Sequence, residues 1–146
     1  MKFVSYQLEY SEIDDFITIP LAEPYYGYVG LSEIFIPGLA DAKNQKIDSI
    51  NITCDQIDST FDNPDRLLRH IPILRNQRRL EMWTAHHIHL KKVDSDDKFL
   101  TIRLRRISPD TRLSVAANKD AAIIWLTLVF ADENEHHNWF NSIKCI

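Results

Sequence analysis

Glycine and cysteine are scarce in this 146-residue sequence, which holds three glycines and two cysteines. Phosphate-binding loops and dinucleotide-binding fingerprints depend on glycine, and both patterns are absent, as is the serine nucleophile elbow. Cys54 and Cys145 do not have the spacing of a disulfide framework or a metal knuckle. We therefore expect two reduced thiols, with Cys54 as a small core residue, rather than a structural bridge. No cofactor and no enzymatic activity are expected.

Long hydrophobic runs are also missing. No apolar stretch approaches the ~20 residues that a membrane-spanning helix requires. The first ten residues contain no apolar signal core, so we expect neither membrane insertion nor secretion. Hydrophobic residues make up 45% of the chain and charged residues 26%, which is ordinary for a globular protein and excludes a disordered one. The length fits one domain.

What the sequence does contain is a series of short, β-rich apolar runs separated by polar turn clusters. Eight strands are predicted, at about 3–10, 15–21, 27–36, 46–54, 67–74, 81–91, 98–107 and 121–130. Strands at this spacing are typical of a sandwich or barrel. The last run is apolar at nearly every position, so both of its faces are expected to be covered.

These strands predict an all-β protein, an eight-stranded single jelly-roll β-sandwich over residues 1–130. An immunoglobulin-like sandwich is the alternative, weakened by the absence of the Cys…Trp…Cys spacing. Residues 131–146 form a C-terminal tail in which Trp139, Phe140 and Ile143 lie at roughly helical spacing. The tail is expected to pack on its own domain or on a neighbouring subunit.

Histidines are concentrated in the run from His86 to His89, where His87 and His89 would share one face of a strand. Cupin barrels hold a metal through two histidines placed in this way, together with a third ligand from a neighbouring strand. The cupin pattern also requires glycine-rich turns, which this chain lacks. The alternative is a set of ordinary surface histidines.

Charge is divided unevenly along the chain. Residues 1–65 carry three lysines against twelve acids, whereas residues 66–112 carry nine arginines and three lysines against five acids. Either these charges pair within the sandwich, or a basic surface of one copy meets an acidic surface of the next. Arginine suits bidentate contacts at such interfaces. The sequence pI of about 5.8 and the lack of interleaved aromatics argue against sequence-specific nucleic-acid binding.

Three segments carry a resemblance to a known family. Tyr28 to Pro37 looks like a strand of single jelly-roll minor capsid (penton-like) proteins of Polinton-like elements, adintoviruses and virophages. Ile50 to Ile57 and Leu67 to Pro72 are similar to the next strand pair of that family. The resemblance extends over about residues 16–130. It implies a structural capsid protein of a virion, assembled inside the host cell, with five copies in a vertex ring and other capsid proteins as partners. Another capsid or cement role is the alternative within this class.

From the charge division, we predict that copies associate by shape and charge complementarity. The predicted subunit-interface residues are Arg103, Arg105 and Arg106 on one copy, Asp14, Asp15 and Glu23 on the next, and Trp139 and Phe140 in the tail. Two other functions remain open. A jelly-roll module could bind a carbohydrate or a receptor through Tyr25, Tyr26 and Tyr28, and a cupin-like protein could bind a metal through the histidines.

Overall fold

Two antiparallel β-sheets face each other in the computed structural model of this chain, and a helix follows the last strand. The structure describes residues 1–10, 16–36, 49–72, 82–107, 110–112 and 122–144. The elements are β1 (Lys2–Tyr10), β2 (Ile17–Pro20), β3 (Tyr26–Phe35), β4 (Ser49–Cys54), β5 (Leu67–Pro72), β6 (Met82–Thr84), β7 (Lys91–Asp94), β8 (Phe99–Ile107), β9 (Asp110–Arg112), β10 (Ala122–Ala131) and α1 (Glu133–Lys144).

The strands form two sheets, called sheet 1 and sheet 2 below. Sheet 1 has the order β1-β10-β3-β6, and β7 also pairs with β3. β6 pairs with residues 33–35 of β3 and β7 with residues 26–29, so the two short strands share one side of β3. Sheet 2 has the order β2-β8-β4-β5, and β9 pairs with the far end of β8. The prediction of an all-β sandwich is confirmed.

The core lies between the sheets and follows from the alternation of side chains along each strand. The inward side chains of the two central strands are Ile124, Leu126 and Leu128 on β10 and Leu100, Ile102 and Leu104 on β8, all at most 2% exposed. Burial of one such side chain stabilises the fold by about 1.5–3 kcal/mol. Cys54 is a free, buried thiol in this core, as predicted, and its burial raises the pKa of the thiol to about 11.

The prediction of one continuous strand over 81–91 is wrong for its middle part. Two short strands, β6 and β7, flank a segment at residues 85–90 that has no strand structure. The backbone N–H of Ala85 still donates to the carbonyl of Ser32 (2.8 Å), after which the chain leaves the ladder. Gly30 makes this departure possible. A Cβ at this position would lie 2.8 Å from Ile88 Cγ2 and 2.9 Å from His89 O, so the segment approaches Gly30 closely.

Two further strand predictions need correction. β9 lies between the strands predicted at 98–107 and 121–130. Together with the division of the predicted strand 81–91 into β6 and β7, it gives ten described strands where eight were predicted. β10 was expected to be covered on both faces, yet Ile123 and Trp125 on its outer face are 44% and 47% exposed. The sequence also predicts one helical turn at 116–120, but this segment lies outside the described residues.

The helix α1 begins directly after β10. Asp132 caps it, because its Oδ1 accepts a hydrogen bond from the Glu135 N–H (2.8 Å), while the Glu135 carboxylate accepts one from the Asp132 N–H (3.3 Å). In the first turn, the ring of His136 stacks on Tyr28 with centroids 3.8 Å apart. The start of the tail therefore packs on its own domain.

Candidate functional site

The outer face of sheet 1 is covered over part of its area. Here Val129 is fully buried and pairs in register with Gly30, over which residues 88–90 pass. Next to this pair, Thr127 is 9% exposed and its hydroxyl lies 2.9 Å from Ser5 Oγ and donates to Glu33 Oε1 (3.2 Å). We call this region the closed half, defined by Gly30, Thr127 and Val129. Its polar groups are paired, and little apolar surface is exposed.

The other part of the same face is apolar and exposed. Trp125 lies opposite Phe35, and Phe35 lies opposite Met82, so three strands place a continuous apolar row on one face. Trp125 is 47% exposed, Met82 is 58% exposed, and Ile123 is 44% exposed two residues before Trp125. We call these four residues the open half. Contiguous exposed apolar surface of this kind is a common mark of a protein–protein contact site.

A second exposed feature is the loop between β4 and β5, residues 55–66, called the Phe61 loop below. The side chain of Phe61 is 100% exposed. Asp58, Asp62 and Asp65 flank it, so the loop presents an aromatic ring among acids. A lone exposed aromatic residue is not unusual, and its interest depends on whether its backbone is held in place.

Hydrogen bonds hold the backbone of the Phe61 loop on both sides of the ring. Asn63 accepts a bond from the Leu67 N–H (2.9 Å) and donates one to the Leu67 carbonyl (3.0 Å). Ser59 donates to the Pro64 carbonyl (3.1 Å), and Arg66, which has a positive φ of 57°, donates through Nε to the Ile57 carbonyl (3.1 Å). The ring is therefore presented on an ordered support.

Buried Gln56 and exposed Asp55 anchor the first residues of this loop. The Gln56 carbonyl accepts a hydrogen bond from the Thr101 N–H (2.7 Å), and its amide donates to Asp97 (3.1 Å). Asp55 receives two bonds from the Arg103 guanidinium, at 3.0 and 2.9 Å. This fork geometry gives the strongest class of side-chain ion pair.

A cavity of about 280 Å³ opens at the corner between the two sheets, where β1 and β2 form the sheet edges. We call it the Glu23 cavity. Its lining residues are Lys2, Val4, Tyr6, Pro20, Leu21, Ala22, Glu23, Tyr25 and Phe130. Aliphatic and aromatic side chains form most of this lining, and Lys2 and Glu23 add one charge of each sign. The cavity therefore suits an apolar group with a polar surround.

The Phe61 loop and the Glu23 cavity lie at the same end of the sandwich but on opposite flanks. Across sheet 1, Lys2, Phe130, Val29 and Lys91 are successive register partners, from the edge strand β1 to β7. The Phe61 loop contacts β7 through the bridge between Ile57 and Val93, at the flank where β5 ends sheet 2. The cavity lies on the other flank, beside β1 and β2.

The predicted arginine surface is already partly engaged within the chain. Arg103 pairs with Asp55, and its guanidinium carbon lies 5.5 Å from the centre of the Phe16 ring. Arg105 is half-buried on β8 and also has an interaction within the chain. Arg106 lies on β8, but its side chain is outside the described residues. For Arg103, the structure shows pairing within the chain, which was the alternative to a contact between copies.

The other predicted interface residues are spread over the molecule. Asp14 and Asp15 lie outside the described residues. Glu23 is exposed and lines the cavity named after it. Trp139 and Phe140 belong to α1, with side chains outside the description. Contact between these arginines and these acids across copies stays a prediction.

The histidines do not have the geometry that the cupin hypothesis requires. His86 to His89 lie in the segment between β6 and β7, not on a strand. Within the described ranges, no three His, Cys, Asp or Glu side chains are close enough together to hold a metal ion. Partial burial lowers the pKa of His89, and the nearby charges of Arg69, Lys91 and His87 lower it further.

The three tyrosines of the carbohydrate hypothesis have different roles. The Tyr25 hydroxyl lies 2.9 Å from the carbonyl oxygens of Tyr28 and Ala131, and its partial burial raises its pKa. Tyr28 stacks on His136. Tyr26 is 58% exposed and donates a hydrogen bond to Asp96. Tyr26 and Tyr28 also line a cavity of about 260 Å³ with Lys92 and Glu133.

Sequence reasoning missed the most exposed features. Nothing in the sequence marks Phe61 as exposed, because one aromatic in a polar loop does not reveal its environment. The open half lies on β3, β6 and β10, and of these strands β10 was predicted to be covered on both faces. The alternation of Ile123 and Trp125 with Ile124 and Leu126 was the available signal, but both sets are apolar.

Among the residues with a described conformation, no helix has the length and apolar character needed to cross a membrane. No known protein family and no curated protein matches the sequence.

Proposed function

We propose that this chain is a single jelly-roll structural subunit that assembles with copies of itself into a shell. The nested pairing of its strands carries the proposal. If β6 and β7 count as one position and the short strand β9, which pairs only with β8, is left out, the pairing is nested. The first strand then pairs with the last, the second with the last but one, and so on to the adjacent pair β4 and β5. A long antiparallel hairpin wrapped across two sheets gives this order, which is that of paired Greek keys.

The same strand order argues against the immunoglobulin-like alternative. In that fold, the first, second, fifth and fourth strands share one sheet. In this chain the first and second strands belong to different sheets, and the first strand pairs with the last. The topology therefore supports a jelly roll, and jelly rolls are a recurrent fold of viral capsid subunits. The resemblance of Tyr28 to Pro37 to penton-like minor capsid proteins points to the same class, with a virion as the location.

The open half supports assembly because it offers an apolar contact area. Trp125, Met82 and Ile123 together keep a substantial apolar area in contact with water, which disfavours the isolated chain. Aromatic residues and methionine are also enriched in the cores of protein–protein interfaces. Contact of this face with another copy or another capsid protein would remove that surface from water.

We further propose a head-to-tail contact in which Phe61 of one copy enters the Glu23 cavity of the next. A cavity of about 150 Å³ is large enough for benzene, so the cavity of about 280 Å³ accommodates a phenyl ring. Asp58 and Asp62 beside the ring would approach Lys2 at the cavity, while Glu23 opposes them. Because the loop and the cavity lie on opposite flanks at the same end, repeated contacts form a heterologous series that closes into a ring when the rotation permits.

Light scattering after size-exclusion chromatography, at high protein concentration and low salt, tests the proposed function. We expect a mass of several copies and ring-shaped particles in negative-stain images, with five copies per ring if the resemblance holds. Salt should weaken the assembly because it screens the charged part of the contact. A monomer at all concentrations and salt conditions would overturn the assembly function.

Three variants test the head-to-tail contact separately. Phe61→Ser should weaken association about tenfold or more, because burial of a phenylalanine is worth about 1.5–3 kcal/mol. Ala22→Trp should weaken it as well, because Ala22 is exposed and lines the cavity, which the larger side chain would fill. Phe61→Leu is the matched control and should retain most of the association. If Phe61→Ser and Ala22→Trp assemble like the wild type, the contact is wrong while the assembly function stands.

A second candidate function is a carbohydrate- or receptor-binding module. The cavity lined by Tyr26, Tyr28, Lys92 and Glu133 is the observation that favours it. Aromatic faces beside polar groups suit sugars, which present both apolar and hydroxyl surfaces. Glycan-array binding that is lost in Tyr26→Ala, by a protein that does not self-associate, would select this function over assembly.

A further inference from the structure

Arg69 occupies an unusual position at the open edge of the sandwich. It lies on β5, the edge strand of sheet 2, opposite the inward residue Ile52. Its side chain therefore reaches toward sheet 1, where the guanidinium carbon lies 5.0 Å from the centre of the Trp83 ring. Nη1 donates a hydrogen bond to the His87 carbonyl (2.9 Å). One cation thus spans the gap between the edges of the two sheets.

The charge of Arg69 has no counter-charge in the described part of the chain. A guanidinium carries five N–H donors, and the bond to His87 uses one of them. No described carboxylate forms an ion pair with Arg69, and partial burial lowers the pKa of its guanidinium. Arg103 is the opposite case, because both oxygens of Asp55 receive its fork. A partly dehydrated cation without a partner favours the arrival of an anion.

The groups around Arg69 add charge of the same sign. Burial has the largest effect on the pKa of His89, and Arg69, Lys91 and His87 lower it further. No acid among the described residues offsets them. Arg69 and Lys91 thus place positive charge near His89. The Trp83 ring fixes one face of the guanidinium, so its edge stays available for a planar ligand.

We propose that Arg69, stacked on Trp83 and beside His87, His89 and Lys91, forms a binding site for an oxyanion. The ligand chemistry is a carboxylate or a phosphate group that takes two hydrogen bonds from the guanidinium edge. The site is independent of the proposed function, because neither the open half nor the Phe61 loop contributes to it.

Titration of the wild type with sodium phosphate and, separately, with sodium acetate tests this site. Sodium chloride keeps the ionic strength constant, and the imidazole resonances of His89 report the binding by NMR. We expect a saturable shift of His89 with at least one anion. Saturation with phosphate alone assigns the site to phosphate-bearing ligands, and comparable saturation with acetate assigns it to carboxylates. Absence of a saturable shift with both anions overturns the proposal.

Arg69→Gln should weaken the anion affinity about tenfold or more, since hydrogen bonds to charged groups are the strong ones. Arg103→Gln is the matched control and should bind the anion like the wild type. Equal affinity in Arg69→Gln and the wild type would also overturn the proposal. If Arg69→Gln does not fold, Arg69→Lys keeps the charge and lacks the fork, and should still bind more weakly than the wild type.

Discussion

The closed half and the open half of sheet 1 lie on the same outer face, yet their side chains differ in the fraction that is exposed to water. Val129 and Ile123 are both outward residues of β10, six positions apart, and their exposed fractions are 0% and 44%. We attribute the difference to residues 88–90, which pass over Gly30, the register partner of Val129. The pattern of one strand therefore does not decide burial on its outer face. The path of a distant segment does.

This comparison also separates stability from function. A buried outward residue contributes to folding in the same way as a core residue, because its surface is removed from water. An exposed apolar residue contributes little to the fold of the isolated chain and is available to a partner. Substitutions in the closed half should thus affect unfolding, and substitutions in the open half should affect association.

The largest effect is expected from Gly30→Val in the closed half. Valine suits a strand by itself, but its Cβ would lie 2.8 Å from Ile88 Cγ2 and 2.9 Å from His89 O. Overpacking of this kind costs about 1–3 kcal/mol in the free energy of unfolding, measured by urea denaturation. Ile88→Ala removes one of the two close atoms, so the double variant should lose less than the sum of the single losses. Strict additivity would contradict the close approach.

A matched pair on β10 tests the two halves directly. Val129→Thr places a hydroxyl where the side chain is fully buried, and should cost about 1–3 kcal/mol in the free energy of unfolding. Ile123→Thr changes a residue that is 44% exposed, and should cost about 0.5 kcal/mol or less. The thermal midpoints of the two variants provide the measurement. Equal losses would show that residues 88–90 do not cover Val129.

Trp125→Gln tests whether a residue of the open half affects association more than stability. Because Trp125 is 47% exposed, we expect a change in the free energy of unfolding within about 0.5 kcal/mol. Association should fall instead, since aromatic side chains at the centre of an interface carry much of the binding energy. Thermal denaturation and light scattering on the same sample separate the two quantities. A loss of stability without a loss of association would place Trp125 in the fold and not in the contact.

The smallest effect is expected on the pH dependence of stability, through His89 in the segment that passes over Gly30. The pKa of His89 is lowered in the folded state, so below the ordinary histidine value of 6.5 the unfolded chain binds more protons than the folded one. Stability should therefore fall as the pH drops through that region. His89→Gln should make this loss of stability at low pH smaller. The difference should be slight, because the ring is exposed. Urea midpoints at pH 7.5 and pH 5.0 provide the test, and an unchanged pH dependence would exclude a contribution from His89.

Local patterns predicted most of the strand positions, and they failed where a distant segment intervened. Leu100, Ile102 and Leu104 alternate with polar residues, and their burial followed from that alternation alone. The run from 81 to 91 contains residues that suit a strand, but Ile88 and His89 pass over Gly30 instead of extending the ladder. The partner of Arg103 was open between its own chain and a neighbour, because a charge does not specify which acid lies near it.

The sequence by itself determined the all-β class, the core alternation and the burial of Cys54, because each depends on the period of side chains along a strand. Only the tertiary structure decided which apolar residues stay exposed. Phe61 is exposed because hydrogen bonds hold its loop outward, and Trp125 is exposed because no segment of the described residues covers it. Arg69 has no counter-charge among the described residues, because β5 and β6 bring it to Trp83 and not to a described acid. These properties depend on contacts between residues distant in the chain, which no local pattern encodes.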